Sequence, residues 1–196
     1  MKAFILSTAF LLVVSLTQAQ DASKNQPTPD SIKLHVEGNM AYYQKTFRVD
    51  SNIKISTIYL RALQFMAAKN FQQNYGYEQE GKMIFTTTQD LNSTPASVEP
   101  NEDMQPYTVQ FAITVDMKNS RYRCTISNIT FYMPTDYGNR RMTLYDVYEK
   151  ETSGESRRIT KNARTLRESF ERYLISLTNE LYAEVEHKEA LYNSKF

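Results

Sequence analysis

From Tyr107 to Met117 the chain is apolar at every second position: Tyr107, Val109, Phe111, Ile113, Val115 and Met117 alternate with Thr108, Gln110, Thr114 and Asp116. A period of two marks a strand with one buried face and one wet face. Lys118-Asn119-Ser120-Arg121 makes a turn, after which Tyr122, Cys124 and Ile126 resume the pattern. A two-residue Asn119-Ser120 loop pairs Met117 with Tyr122, Val115 with Cys124 and Ile113 with Ile126, all apolar and all on one face. A slip by one would set Val115 against Thr125, so the pattern itself specifies the register. Beyond Ile126 the apolar set becomes Ile129, Phe131 and Met133, and this phase shift predicts a bulge near Ser127-Asn128. The hairpin commits the chain to an antiparallel sheet whose second face carries Gln110, Thr114, Arg123 and Thr125.

The flanking segments supply the rest of the sheet and its cover. Ile32, Leu34 and Val36 alternate, Gly38-Asn39 offers turn chemistry, and residues 40–49 form a second extended run ended by Asp50-Ser51-Asn52. Residues 55–71 change period: Ile55, Ile58, Tyr59, Ala62, Leu63 and Met66 recur at helical spacing, with Ser56 as the expected N-cap. Tyr75-Gly76-Tyr77 is read as the end of that helix, and Glu80-Gly81 as a turn between short strands at 75–79 and 82–89. Residues 90–105 are polar and read as a long, mobile loop, and residues 134–154 as a tyrosine-bearing loop with Tyr137, Tyr145 and Tyr148. A stripe from Ile159 to Val185 then predicts a helix of about thirty residues, on the order of 45 Å long. One small sheet does not cover that length, so its end is expected to project or to pack on a partner. The economical arrangement is α+β: a curved antiparallel sheet with two helices on one face, in the order β-α-β-β-β-β-α.

Ahead of this domain, Lys2 precedes an apolar run from Ala3 to Leu16, followed by Thr17-Gln18-Ala19-Gln20. That is the pattern of a signal peptide, read here as residues 1–19 with cleavage after Ala19. Residues 20–31 are polar with two prolines and read as a disordered tether, leaving residues 32–190 as a single domain with a long C-terminal helix. The expected location is periplasmic or secreted. The leader takes away Lys2 and no acid, so of 23 basic and 22 acidic residues 22 of each remain. Such balance carries no electrostatic footprint for nucleic acid. Cys124 is the sole cysteine, which excludes an intrachain disulfide. No second apolar run approaches membrane-spanning length, so no membrane insertion is expected after leader cleavage.

The helix entry Ile55-Ser56-Thr57-Ile58-Tyr59-Leu60-Arg61-Ala62-Leu63-Gln64-Phe65 and the hairpin strand Arg121-Tyr122-Arg123-Cys124-Thr125-Ile126, in this element order, resemble a family of exported bacterial domains, domain-of-unknown-function family 4468. The resemblance covers roughly residues 40–133 and implies a fold like that of the TATA-box-binding protein. It carries no assigned catalytic residues to transfer. The turn here reads Lys-Asn-Ser-Arg where family members often have a glycine. A shape shared with a DNA-binding protein does not imply DNA binding.

No local catalytic motif emerges. The five glycines are scattered and build no phosphate cradle or nucleophile elbow. His35 and His187 lie at opposite ends of the chain, and Glu184, Glu186, His187 and Glu189 read as a solvated helix end rather than a metal cluster. Cys124 falls in phase with Tyr122 and Ile126, as a buried small hydrophobe does. Asp103, Asp116, Asp136 and Asp146 are loop candidates for a spatial acid pair, with nothing favouring any two. Neither a cofactor nor a metal is expected.

Fourteen tyrosines without a tryptophan are the suggestive feature, because tyrosine joins rigid contact area to a polar tip. The leading expectation is an exported, non-catalytic binding or interaction domain, its partner an envelope protein or a second copy docked through the C-terminal helix. The alternative is a small-molecule or glycan-binding domain using the open sheet face and the Tyr-rich segment. The candidate binding residues are Gln110, Thr114, Arg123, Thr125, Tyr137, Tyr145 and Tyr148.

Overall fold

The computed structural model describes residues 31–91, 106–135, 138–154 and 156–186. The leader at 1–19, almost all of the 20–31 tether, most of the 90–105 loop, Tyr137, His187 and Glu189 lie outside them. Seven antiparallel strands form one sheet: β1 (Lys33–Glu37), β2 (Met40–Arg48), β3 (Gln72–Tyr77), β4 (Lys82–Leu91), β5 (Tyr107–Lys118), β6 (Arg121–Thr135) and β7 (Gly138–Thr143). Their order is β1-β2-β6-β5-β4-β3, with β7 also paired to β6. Among the described residues three α-helices accompany them: α1 (Ile55–Ala68), α2 (Leu144–Thr152) and α3 (Arg157–Glu186).

The central hairpin has the register its pattern predicts, with Met117 opposite Tyr122, Val115 opposite Cys124 and Ile113 opposite Ile126. Ser120 adopts a φ of 60° in the turn. The inward residues of β5, from Tyr107 to Met117, are all buried and join Tyr43, Phe47, Phe85 and Phe131 in one core. Phe170 of α3 is its aromatic hub, set edge-on to Tyr43, Phe111 and Phe131 with ring centroids 6.1, 5.5 and 5.4 Å away.

Several boundaries differ from the sequence reading, each for a physical reason. The N-cap of α1 is Lys54, without a side-chain cap, rather than Ser56. Asp50 instead organises the approach, its carboxylate accepting the Asn52 N–H at 2.9 Å. The helix ends at Ala68 because Asn70 takes φ 60°, with Asn70 N–H bonded to Ala67 O and Phe71 N–H to Met66 O. This is a Schellman closure with asparagine in the glycine role. Phe71 belongs to the apolar pattern as the residue that seals the cap, not as part of the helix. Tyr75-Gly76-Tyr77, read as the helix end, lie in strand β3, which starts at Gln72, three residues before the strand expected at 75–79.

The segment at 134–154 is not a loop. It holds β7, which pairs with β6, and then α2, so Tyr145 and Tyr148 are helical. Thr143 caps α2 in a capping box with Asp146. Helix α3 does not project: its stripe is buried within the chain as far as Leu181 and Val185, both 0% exposed. Its end is tied down by Arg61, which donates to Val185 O, and by Glu186, which accepts the Asp50 N–H. At its other end Arg167 bridges Glu151 of α2 and Glu171, and Glu171 accepts the hydroxyl of Tyr43 on β2.

Candidate functional site

Strand β6 is fifteen residues long and pairs with β5 along one edge. Two strands share its other edge. β2 pairs from Arg121 to Ile126, and β7 from Thr130 to Thr135. Ser127, Asn128 and Ile129 pair with neither. On the β5 side the same residues form the bulge predicted from the phase shift, since the register moves between Gln110, opposite Thr130, and Ala112, opposite Ser127. Asn128 takes the left-handed φ of 54°. A bulge bends its strand and increases the local twist. The neighbouring strands part at this point, and β6 forks between them.

The fork opens a groove of about 560 Å³. Its walls come from the β1–β2 turn (Asn39, Met40), from Tyr42, from the β6 bulge, and from the β7–α2 junction (Arg141, Tyr145). Gln110 and the buried Ala112 of β5 lie between these walls. The Tyr42 ring is held in place, stacked on His35 at 5.0 Å with its hydroxyl donating to Glu37 at 2.8 Å. That bond to a carboxylate pushes the phenol up from its ordinary value. Gln110 accepts the Tyr132 hydroxyl at 3.1 Å through Oε1, while its amide nitrogen has no hydrogen bond among the described residues. Among the described residues the lining contains one cation, Arg141, and no carboxylate, histidine or cysteine.

The predicted site residues distribute unevenly around this groove. Gln110 and Tyr145 line it. Thr114, Arg123 and Thr125 share the open sheet face but lie along the paired part of β5 and β6. There Thr125 accepts from Gln44 Nε2 at 3.2 Å, and Arg123 pairs with Asp116 at 3.2 Å beside a smaller hollow of about 210 Å³. Tyr148 is half-buried on α2 and is not among the lining residues. Asn39, Met40, Tyr42, Asn128 and Arg141 were missed. The phase break at Ser127-Asn128 was their only signal, because the fork depends on where β2 and β7 stop pairing.

Cys124 stands apart, fully buried on the core face opposite Lys45, and burial pushes its thiol up to about 12. Among the described residues no group of three or more His, Cys, Asp or Glu side chains could hold a metal ion, and no helix is long and apolar enough to cross a membrane.

Residues 43–132 match the model of a family described as a domain of unknown function (DUF4468) with TBP-like fold. The structure is similar to that of a TBP-like protein from Parabacteroides distasonis, with a TM-score of 0.63 at 12% identity, over 79% of this chain and 98% of that one. It is also similar to a DUF4468 family protein from Bacteroides ovatus, with a TM-score of 0.62 at 9% identity, over 80% of this chain and 92% of that one. At such identities the likeness is one of fold. No curated protein matches the sequence. The matched family has no known function, and neither it nor the two similar structures points to a catalytic family.

Proposed function

We propose that this chain, whose residues 43–132 match DUF4468 and whose fold is TBP-like, is an exported, non-catalytic binding module that holds its ligand in the β6 fork. The observation that carries this reading is the fork itself: a groove of ligand size built where a strand changes partners. Three further features support it. The signal-like leader favours work outside the cytoplasm. Among the described residues the lining offers amides, hydroxyls and aromatic rings without a carboxylate, histidine or thiol to serve as an acid, base or nucleophile. The apolar stripe of α3 is covered within the chain from Ala163 to Val185, which removes the motive for self-association through that helix.

Native mass spectrometry tests the proposal on protein released gently from its own envelope fraction. The wild type should carry an adduct of a few hundred daltons that a Gln110→Ala/Tyr145→Ala double variant lacks. A bare monomer, or an adduct that the double variant keeps, would contradict it. An increment the size of a second protein would point to an envelope partner instead.

A further inference from the structure

Resting on the fork as the binding site, we infer that its ligand is a compact sugar, neutral or bearing a single carboxylate. Shape comes first. The unpaired edge of β6 runs only over Ser127, Asn128 and Ile129, roughly 10 Å of strand. It is closed at one end by Tyr43, paired with Ile126, and at the other by Thr143, paired with Thr130. An added peptide strand needs a longer continuous edge, so the gap admits a compact molecule and not an extended chain.

Charge narrows the class. Among the described residues Arg141 is the only charged side chain on the lining, and it is exposed. A cationic ligand would find no carboxylate there. A polyanion would find too few positive charges, whereas one sugar carboxylate would suit a single guanidinium.

The hydrogen-bonding inventory then matches hydroxyl groups. Every sugar hydroxyl both donates and accepts, and the amides of Asn39, Gln110 and Asn128 and the hydroxyls of Ser127 and Tyr145 do the same. None of these five has a side-chain hydrogen bond among the described residues, except Gln110 through its oxygen. The rings of Tyr42 and Tyr145 offer flat apolar surface to the C–H face of a sugar. Tyr42 is already immobilised by His35 and Glu37, which lowers the ordering cost of binding.

Saturation-transfer NMR tests the assignment with galactose, N-acetylglucosamine, cellobiose and glucuronic acid, and with a mixture of short peptides as comparison. Thermal midpoints confirm that the Gln110→Ala and Tyr145→Ala variants fold. The wild type should transfer saturation to the ring protons of at least one sugar, and each variant should bind about tenfold more weakly. No transfer to any sugar would overturn the inference. If peptides bound instead and the same variants abolished that binding, the fork would stand as the site and the sugar class alone would fail. Transfer to a sugar that neither variant weakens would move the site away from the fork and overturn both readings.

Discussion

The thiol of Cys124, buried and pushed up to about 12, holds almost no thiolate at neutral pH. It should resist a colorimetric thiol reagent in the folded protein and react at once in denaturant; fast reaction in the native state would mean the core face is open there. Asn128 makes the opposite case, a residue whose backbone rather than side chain shapes its surroundings. Its φ of 54° costs an ordinary side chain about 1–2 kcal/mol, and a β-branched one at least that. Asn128→Val should therefore lower the unfolding free energy measured in urea by that amount and weaken fork binding, while Asn128→Gly should leave stability within a few tenths of a kcal/mol. Equal stabilities for the two variants would count against a left-handed bulge. The bulge was legible because a period-two pattern cannot change phase without an extra residue. Its consequence for Tyr42 and Arg141 was not, since neither residue is near Asn128 in the chain. Phe170 was legible as a core residue but not as the hub joining Tyr43, Phe111 and Phe131. Phe170→Ala should cost about 3–5 kcal/mol in chemical denaturation.

At the scale of elements, the segment from Pro134 to Gly154 shows what sequence reading left out. It was read as a loop rich in tyrosine, yet Thr143-Leu144-Tyr145-Asp146 already contained the reciprocal capping pattern that starts α2. Helix α2 is only nine residues long, too short for periodicity to stand out, and it is tied to α3 through ion pairs. The tie is Glu151, whose carboxylate accepts two hydrogen bonds from Arg167 and one from Arg164. The Arg167 bonds above all hold that carboxyl below the usual carboxylate range. A depressed folded value means the contribution to stability is present above the unfolded value, about 4.3 for glutamate, and is lost as pH falls through the folded value. Glu151→Gln should thus be less stable than wild type at neutral pH, and the gap should close as the pH drops below about 4. A gap that stays constant with pH would show that the pair contributes through packing alone. The long helix was read correctly as a helix and wrongly as too long to cover. The sequence pattern shows its stripe but not that α1, α2 and the sheet cover it from Ala163 to Val185.

For the whole molecule, the covered helix changes what truncation should do. Cutting after Leu177 removes the buried Thr178, Leu181 and Val185 together with the anchor at Val185 O. The shortened chain should fail to give a cooperative thermal transition, whereas a helix that served only a partner would leave the fold intact. Among the described residues the sheet then has two unlike sides: one filled by three helices around a single core, the other carrying the fork. The fold class and central register follow from alternation and helical spacing. The fork depends on pairings between strands distant in sequence, which one chain's pattern does not display. The most direct test of the fork as binding site is amide hydrogen exchange with and without the small-molecule fraction of the native envelope. The account predicts ligand-induced protection in peptides covering residues 126–130 and 141–145, with α3 and β3 unchanged. Protection confined to α3 or to the β3 edge, with none at the fork, would contradict it.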